Sequence, residues 1–334
     1  MKSVLLFNSM AGLAPRVKAE VDRLAQDESC RVLAAEQWRD GGTILDALHQ
    51  HKTRRLVIAG GDGTLHRAIN LIAPHFTDIE IGVVPCGTGN DFARSIGARE
   101  DHLKRLCTDE NFGQLAWVDL FRVHQPSVQY CLNAATGGLG GEVTSQIHEV
   151  DKKRWGGFAY WLSALGKLTD LHAFEIELSC DKHRLEMPAY GVIVSNGRFI
   201  GGGFPISPGA KLDDGMLDVT VIPVLPTLDL LAAGLHFAIG LPEMSAKIQH
   251  HRAHRVKIKS APPMSFSLDG ENTAPMEATF ETVTQAIKLV VADTAPGFAH
   301  TESRLASASI DTSLALPELG WAAPTTANPP LNLE

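Results

Sequence analysis

The sequence lacks several features that would place it in other protein classes. Its five cysteines (Cys30, Cys86, Cys107, Cys131 and Cys180) form no C-x-x-C pair, which argues against a structural zinc site or a disulfide framework. No run approaches the ~18 apolar residues of a membrane-spanning helix, and Met1–Asn8 is too short for a signal peptide. The formal net charge of -8 argues against nucleic-acid binding. We expect a cytoplasmic protein with at most a peripheral, transient contact at the inner membrane face.

Residues 1–120 alternate short apolar segments with segments of helical spacing. This alternation predicts a doubly wound α/β domain, with a parallel sheet covered by helices on both faces. The predicted strands are Val4–Phe7, Arg31–Ala35, Arg55–Ala59 and Ile79–Val84, and the predicted helices are Val17–Leu24, Ile44–His49, Leu65–Ile72 and Asp91–Ile96.

Near residue 117 the pattern changes to short strands bounded by glycine, proline and aspartate. It predicts a mostly antiparallel β-sandwich domain over residues 121–295, with helices near 142–170 and 227–240. The predicted strands are Trp117–Val123, Val128–Asn133, Phe174–Ser179, Gly191–Ser195, Leu217–Ile222, Val256–Ser260, Met264–Leu268 and Ala286–Ala292. Residues 296–334 are rich in Ala, Pro, Ser and Thr and predict a partly disordered tail.

Two glycine-rich segments each follow a predicted strand of the first domain: Gly60–Thr64 and Gly87–Asp91. Glycines let a ligand approach the main chain, and the first amides of the next helix, which Thr64 is expected to cap, bind phosphate. Because ligands bind at the carboxyl ends of parallel strands, we expect both segments to meet in one crevice. Asp62 and Asp91 would there hold Mg²⁺ against a nucleotide. A glycine-rich turn without a ligand is the alternative.

Neither segment is a Walker P-loop or a G-x-G-x-x-G fingerprint. Gly60–Thr64 and Pro85–Arg94 instead resemble the two signatures of the diacylglycerol kinase catalytic domain, in its bacterial lipid kinase branch (diacylglycerol kinase and sphingosine kinase-like). Ser195–Gly197, Asp213–Leu217 and Leu268–Glu271 are similar to later blocks of that family. The resemblance implies an NAD kinase-like nucleotide domain, a β-sandwich lipid-substrate domain, and an active site in the cleft between them.

The resemblance also implies residue roles. Glu271 would be the catalytic base, with Asp269 beside it. The nucleotide contacts would be Asn8, Ser9, Met10, Ala11, Gly12, Gly60, Gly61, Asp62, Gly63, Thr64, Leu65, His66, Thr88 and Asp91. A water-linked Mg²⁺ network would include Asp62, Asp91 and Asp119. A second, structural Mg²⁺ would be bound by the Asp214 carboxylate and the main-chain oxygens of Lys211 and Met216.

These roles imply an ATP- and Mg²⁺-dependent lipid kinase acting on a hydroxyl of diacylglycerol or a related lipid. An NAD kinase-like small-molecule kinase and a non-catalytic nucleotide or lipid sensor stay open as alternatives. A sphingoid base, phosphatidylglycerol and undecaprenol stay open as acceptors, and so does a homodimer.

Other segments have two interpretations each. Residues 155–168 predict either a core helix, which we favour, or an amphipathic helix in contact with lipid. Asp269-Gly270 also fits a hairpin turn, and Asp213-Asp214-Gly215 also fits an exposed acidic turn. His250–Arg255 favours a solvated basic edge over a metal site.

Overall fold

The structure is a computed structural model that describes residues 3–27, 30–73, 75–124, 128–138, 172–239, 245–292 and 298. The predicted helix near 142–170, including residues 155–168, lies outside the described residues. So does the predicted tail, apart from Phe298, which packs against the core of the α/β part.

The order of elements follows the predicted change from alternating strands and helices to mainly strands. The helices are α1 (Ala14–Gln26), α2 (Gly41–Gln50), α3 (Asp62–Ile72), α4 (Asp91–Ser95), α5 (Leu103–Thr108) and α6 (Thr227–Ala238). The strands are β1 (Ser3–Phe7), β2 (Cys30–Ala34), β3 (Arg55–Gly60), β4 (Glu80–Pro85), β5 (Gln114–His124), β6 (Val128–Cys131), β7 (Ala134–Gly138), β8 (Phe174–Cys180), β9 (His183–Ser195), β10 (Leu217–Pro223), β11 (Gln249–Ala253), β12 (Arg255–Ala261), β13 (Phe266–Leu268), β14 (Glu271–Asn272) and β15 (Ala278–Val291). Within these ranges, no helix is long and apolar enough to span a bilayer.

The first four strands form a parallel sheet in the order β4-β3-β1-β2, as the alternating pattern predicted. Residues of α1 and α5 pack with one face of this sheet, and residues of α2, α3 and α4 pack with the other. The strands are buried on both sides, which explains their continuous apolar runs. The register pairs Gly60 at the end of β3 with Pro85 at the end of β4, so both glycine segments start at the same sheet edge.

Strand β15 joins the α/β part to the second part of the chain. Its first half pairs antiparallel with β12, and its residues Lys288–Val290 pair parallel with β4. Strand β5 runs antiparallel along it, with a register break between Val283 and Ile287. The residue-120 boundary predicted from sequence falls inside β5, so hydrogen-bonded strands connect the two parts at this point.

The second part is a β-sandwich-like arrangement of mostly antiparallel strands, as predicted, with the path β14-β13-β7-β9-β8-β12. Its core includes Phe121, Val194, Val219, Phe266 and Phe280. The sequence predicted only the end of β9, because the first half of this strand alternates between exposed and half-buried positions. The basic run that begins at His250 enters β11, which pairs with β10.

Candidate active site

A cleft of about 520 Å³ is lined by residues of both parts of the chain. The α/β part contributes Asn8, Ala11, Gly12, Gly61–Thr64, Gly87–Gly89 and Asp91, and the sandwich contributes Asn133, Ala134, Thr136, Ile200–Gly202, Ser267 and Asp269–Glu271. Most of the residues predicted to bind a nucleotide are therefore brought together. Ser9, Met10, Gly60, Leu65 and His66 are not part of this lining.

The two glycine turns touch each other through their main chains. A Cβ atom placed on Gly87 would lie 2.5 Å from the Cα atom of Gly61. The amide of Cys86 donates to the carbonyl of Gly60 at 2.8 Å. Because no side chain fits between them, glycine is required here for the close approach. The turns form one wall of exposed main chain at the edge of the sheet.

Asn8 connects the first strand to the glycine turn after β3. The side-chain Nδ2 of Asn8 donates to the Thr64 hydroxyl at 2.9 Å, and its side-chain Oδ1 accepts from the main-chain amide of Met10 at 3.0 Å. The prediction that Thr64 caps the following helix is wrong, because α3 already begins at Asp62 and Gly61 is its N-cap. Thr64 instead fixes the position of Asn8. The first amides of α3 have no partner within the helix and are directed towards its N-terminal end.

Asp62 and Asp91 each accept hydrogen bonds from main-chain amides. The carboxylate of Asp62 accepts from Asp91 and Phe92, both at 3.2 Å, at the start of α4. The carboxylate of Asp91 accepts from Gly202 at 2.9 Å and from Gly203 at 2.6 Å. Asp62 thus joins the two glycine turns, and Asp91 joins the second turn to a sandwich loop.

The two carboxylates are crowded, and Asp91 is buried while Asp62 is half-buried. Burial raises the pKa of Asp62. Burial and the neighbouring charge of Asp62 raise the pKa of Asp91 to about 6, although the amides of Gly202 and Gly203 oppose the shift. Two adjacent carboxylates with hard oxygen donors, facing a cleft, form a donor set that suits a divalent cation such as Mg²⁺.

Asp269 is held by several groups at once. One carboxylate oxygen accepts from the amides of Asn133 (2.9 Å) and Ala134 (3.0 Å), and the other accepts from the amide of Leu132 (2.9 Å) and from Nδ1 of His66 (3.0 Å). Its φ of 49° is in the left-handed region, and the next residue is a glycine with a φ of 100°. Asp269 therefore occupies the hairpin turn between β13 and β14, as the Asp-Gly pair predicted.

His66 lies buried in α3 and contacts this hairpin of the sandwich part behind the cleft lining. Burial lowers the pKa of His66, but the hydrogen bond to Asp269 and the charges of Asp269 and Glu271 outweigh it and raise the pKa overall. Ligand atoms of His66, Cys131 and Asp269 lie within 4.8 Å of one another. Burial also raises the pKa of the Cys131 thiol, and the Asp269 oxygens are already occupied by N–H donors. Within this cluster, the His66–Asp269 hydrogen bond connects the two parts of the chain.

Glu271 differs from the other acidic residues of the cleft because its side chain is exposed. Its Oε1 atom lies 3.4 Å from the position that a Cβ atom on Gly63 would occupy. Among the described residues, none donates a hydrogen bond of standard geometry to this carboxylate. Glu271 is consequently available to a ligand at the point where the sandwich approaches the glycine turn.

The remaining predicted metal ligands lie outside the cleft lining. Asp119 accepts from the amides of Gly215 and Gln285, both at 2.7 Å, and burial raises its pKa. Asp214 accepts from the amide of Met216 at 3.0 Å and pairs with Arg252. Asp119 is therefore placed beside the turn that contains Lys211, Asp214 and Met216, and does not share the cleft with Asp62 and Asp91.

The sequence did not identify several sandwich residues of the cleft. Thr136 and Ser267 are register partners on β7 and β13. The Ser267 hydroxyl is buried without a hydrogen-bond partner among the described residues, and it faces the same cleft as Asn133. These residues belong to no local pattern, and only the pairing of distant strands brings them together.

Comparisons with known proteins agree with the two-part architecture of the chain. The model of the diacylglycerol kinase catalytic domain matches residues 2–123, and that of the YegS C-terminal NAD kinase beta sandwich-like domain matches residues 134–291. The crystal structure of a diacylglycerol kinase from Bacillus anthracis str. Sterne has a TM-score of 0.67 at 24% identity, covering 87% of this chain and 97% of that chain. At this identity the likeness shows the fold.

Two curated relatives share more of the sequence. A "Probable lipid kinase YegS-like" of Pseudomonas savastanoi pv. phaseolicola is 34% identical over 244 residues, covering 72% of this chain and 75% of the relative. A protein of the same name from Pseudomonas aeruginosa PAO1 is 32% identical over 254 residues, covering 74% and 80%. The chain therefore belongs to the YegS-like lipid kinase family, with a diacylglycerol kinase catalytic domain followed by a YegS-type C-terminal domain.

Proposed function

We propose that the protein transfers the γ-phosphate of ATP, with Mg²⁺, to a hydroxyl of diacylglycerol or a related lipid. One observation carries this proposal. The main-chain wall of the two glycine turns and the exposed carboxylate of Glu271 line the same cleft, and Glu271 Oε1 lies 3.4 Å from a Cβ position on Gly63. Such an arrangement suits phosphoryl transfer, which depends mainly on positioning and charge neutralisation.

Residues up to about 120 bind the nucleotide in this proposal. The amides at the start of α3 and the main chain of Gly87–Gly89 bind the phosphates, because unpaired helix amides and glycine turns suit anions. Asp62 and Asp91 are the residues that would hold Mg²⁺. When bound, Mg²⁺ neutralises charge on the phosphate oxygens. Asn8 fixes the first strand against Thr64 beside this site.

Residues 121–295 bind the lipid in this proposal. Glu271 accepts the proton of the acceptor hydroxyl. At the same time the hydroxyl oxygen forms a bond to the γ-phosphorus of ATP, and the bond between that phosphorus and the departing ADP breaks. Asp269 acts as a positioning residue, because its two oxygens already accept four N–H groups. Thr136 and Ser267 line the cleft from the sandwich wall, and we assign them to the acceptor side.

We assign a second, structural cation to the turn of Lys211, Asp214 and Met216. The buried Oδ2 atom of Asp218 has no hydrogen-bond partner among the described residues, and burial raises the pKa of Asp218 to about 6. Arg252 pairs with Asp214, and its Nε atom also lies 3.5 Å from Oδ1 of Asp218, so one guanidinium faces two carboxylates and negative charge remains beside Asp214. A cation here would share the Asp214 carboxylate with Arg252.

The names of the relatives support a lipid acceptor over the two alternatives. Relatives that align with most of this chain carry the name of a lipid kinase. An NAD kinase-like enzyme would need a dinucleotide acceptor. A sensor without catalysis would not need an exposed glutamate directed at the nucleotide turn.

The experiment that tests the proposal is a screen with γ-labelled ATP and Mg²⁺. Diacylglycerol, a sphingoid base, phosphatidylglycerol and undecaprenol are each presented in detergent micelles, and NAD is tested in parallel. We expect label in one of the lipids and none in NAD. Label in NAD, or ATP binding with no labelled product, would contradict the proposal in favour of one of the two alternatives.

A further inference from the structure

Helix α6 presents apolar side chains on two opposite faces. Leu230, Ala233 and Phe237 are buried against the sandwich, and the ring of Phe237 stacks on Phe204 at 5.9 Å. The opposite face is exposed to solvent. Its residues, including one just before and one just after the helix, are Val224 (41% exposed), Leu228 (79%), Leu231 (41%), Leu235 (53%) and Ile239 (58%).

This exposed face is a continuous stripe. Leu228, Leu231, Leu235 and Ile239 recur at spacings of three and four, which places them along one side of the helix, and Val224 lies three residues before the helix begins. They make up most of the exposed large hydrophobic residues in the described part of the chain, where the others are Met10, Leu115 and Val128. Scattered exposed leucines need no explanation, but a contiguous apolar patch marks an interaction site.

The charge on this helix is small and already neutralised. Asp229 is its only acidic or basic residue apart from His236. The carboxylate of Asp229 pairs with Lys247 at 2.7 Å. The stripe therefore offers an apolar surface without the basic residues that would attract an anionic partner.

We infer that the α6 stripe (Val224, Leu228, Leu231, Leu235 and Ile239) rests on the surface of a lipid bilayer while the enzyme takes up its acceptor. The inference depends on the proposed function, because a lipid with long chains is delivered to the cleft from a bilayer. An apolar helix face inserts at the boundary between headgroups and acyl chains, in proportion to the apolar area that it buries.

The stripe is also connected to the cleft. Phe237 on the buried side of α6 stacks on Phe204. Phe204 exchanges main-chain hydrogen bonds with Ile200, at 2.8 and 2.9 Å. Ile200, Gly201 and Gly202 line the cleft. A helix seated on a bilayer would thus be separated from the active-site loop by a single layer of side chains.

A second copy of the chain fits this face less well. A stable protein interface uses roughly 20–30 residues on each side, whereas the stripe has five side chains, three within α6 and two beside its ends. With a net charge of -8, the protein gains nothing overall from anionic lipids. Binding should depend on apolar insertion and change little with salt or with the fraction of anionic lipid.

The test is flotation of the full-length protein with phosphatidylcholine vesicles that contain diacylglycerol. Wild type should float with the vesicles, and the double variant Leu228→Glu/Leu235→Glu should lose at least about ten-fold in partitioning, because burying a charged residue in lipid is unfavourable. Leu115→Glu, at an exposed apolar position on β5, is the matched control and should float like wild type. The single variant Leu228→Ser repeats the test with a smaller change.

Kinase assays on the same proteins separate this inference from the proposed function. Turnover of micellar diacylglycerol should be equal for all variants, whereas turnover of vesicle diacylglycerol should fall only for the α6 variants. Wild type that phosphorylates micellar lipid but does not float would overturn the α6 inference alone. Equal flotation of the wild type and the double variant would also overturn it. The same holds if the wild type is a dimer, the double variant is a monomer, and both float equally. Absence of any lipid product would refute the proposed function, while flotation would still test the surface.

Discussion

The two walls of the cleft use acidic residues in different ways. On the α/β wall, Asp62 is half-buried and Asp91 is buried, and the two lie close to each other and have raised pKa values. On the sandwich wall, Asp269 is saturated by N–H donors, and Glu271 is exposed. The two walls therefore suit different roles. The α/β wall carries two adjacent carboxylates whose charge a bound cation would neutralise, and the sandwich wall presents the exposed carboxylate of Glu271 close to the hydrogen-bonded carboxylate of Asp269.

The largest effect should come from Glu271→Gln on the sandwich wall. Loss of a general base lowers the rate by about 10²- to 10⁴-fold, so kcat should fall in that range while ATP affinity stays the same. The measurement is steady-state kinetics with a lipid acceptor in micelles. Glu277→Gln, a surface glutamate that pairs with Lys257, is the control and should behave like wild type. Unchanged kcat in Glu271→Gln would remove the proposed base.

On the α/β wall, Asp62→Asn should lower kcat/KM for ATP by about 10²- to 10³-fold, since a preorganised charge near the transferring group is removed. Asparagine retains one oxygen that can accept from the start of α4, so the variant should stay folded by circular dichroism. Asp46→Asn, an exposed aspartate on α2, is the control. Full activity of Asp62→Asn would show that this carboxylate is not needed for catalysis.

The crowding on the α/β wall predicts a pH dependence of stability. The raised pKa of Asp91, about 6 in the folded protein, means that the folded state binds the proton more tightly than the unfolded state. The stabilisation that the folded state gains from this proton is complete below about pH 4 and is lost as pH rises through about 6. The free energy of unfolding changes by at most about 3 kcal/mol over this range.

Urea unfolding across this pH range measures the effect. Without divalent cations, wild type should lose stability relative to Asp91→Asn as pH rises. Addition of Mg²⁺ should remove most of that loss in wild type only. If the free energy of unfolding of the two proteins changes with pH in the same way, the raised pKa of Asp91 is not the cause of the pH dependence.

The smallest effect concerns His66, which links the two walls through Asp269. His66→Ala removes one of four donors to a buried carboxylate and should cost about 1–3 kcal/mol in unfolding free energy. His66→Asn retains a donor and should recover part of the unfolding free energy that His66→Ala loses. His75→Ala, at an exposed position, should cost nothing measurable. Hydrogen exchange should also quicken at the amides of Leu132, Asn133 and Ala134, and unchanged exchange there would contradict the positioning role.

The sequence predicted the α/β wall better than the sandwich wall for a physical reason. In the α/β wall, strand, glycine turn and helix follow one another within about a dozen residues, and parallel strands bring both turns to one edge. The prediction that Thr64 caps α3 was wrong because Gly61 is the N-cap and the helix begins three residues earlier, at Asp62. The prediction of two turns in one crevice is confirmed by the close approach of Gly61 and Gly87.

The sandwich wall depends on contacts between residues far apart in the sequence. The carboxylate of Asp269 meets amides more than a hundred residues away and a histidine from α3. No periodicity reports such contacts, so Asn133, Thr136 and Ser267 were missed. Helix α6 was predicted correctly, but an apolar helix is read as buried, and its exposed face became visible only in the structure.

Calorimetric titration of the wild-type protein with ATP, in buffer with Mg²⁺ and in buffer with a chelator, tests the central claim most directly. We predict one nucleotide per chain, bound with Mg²⁺, with affinity that falls steeply in chelator and in Asp62→Asn but not in Glu271→Gln. Absence of ATP binding in Mg²⁺ buffer, or equal affinity with and without the cation, would contradict a triphosphate site built by the two glycine turns and their aspartates.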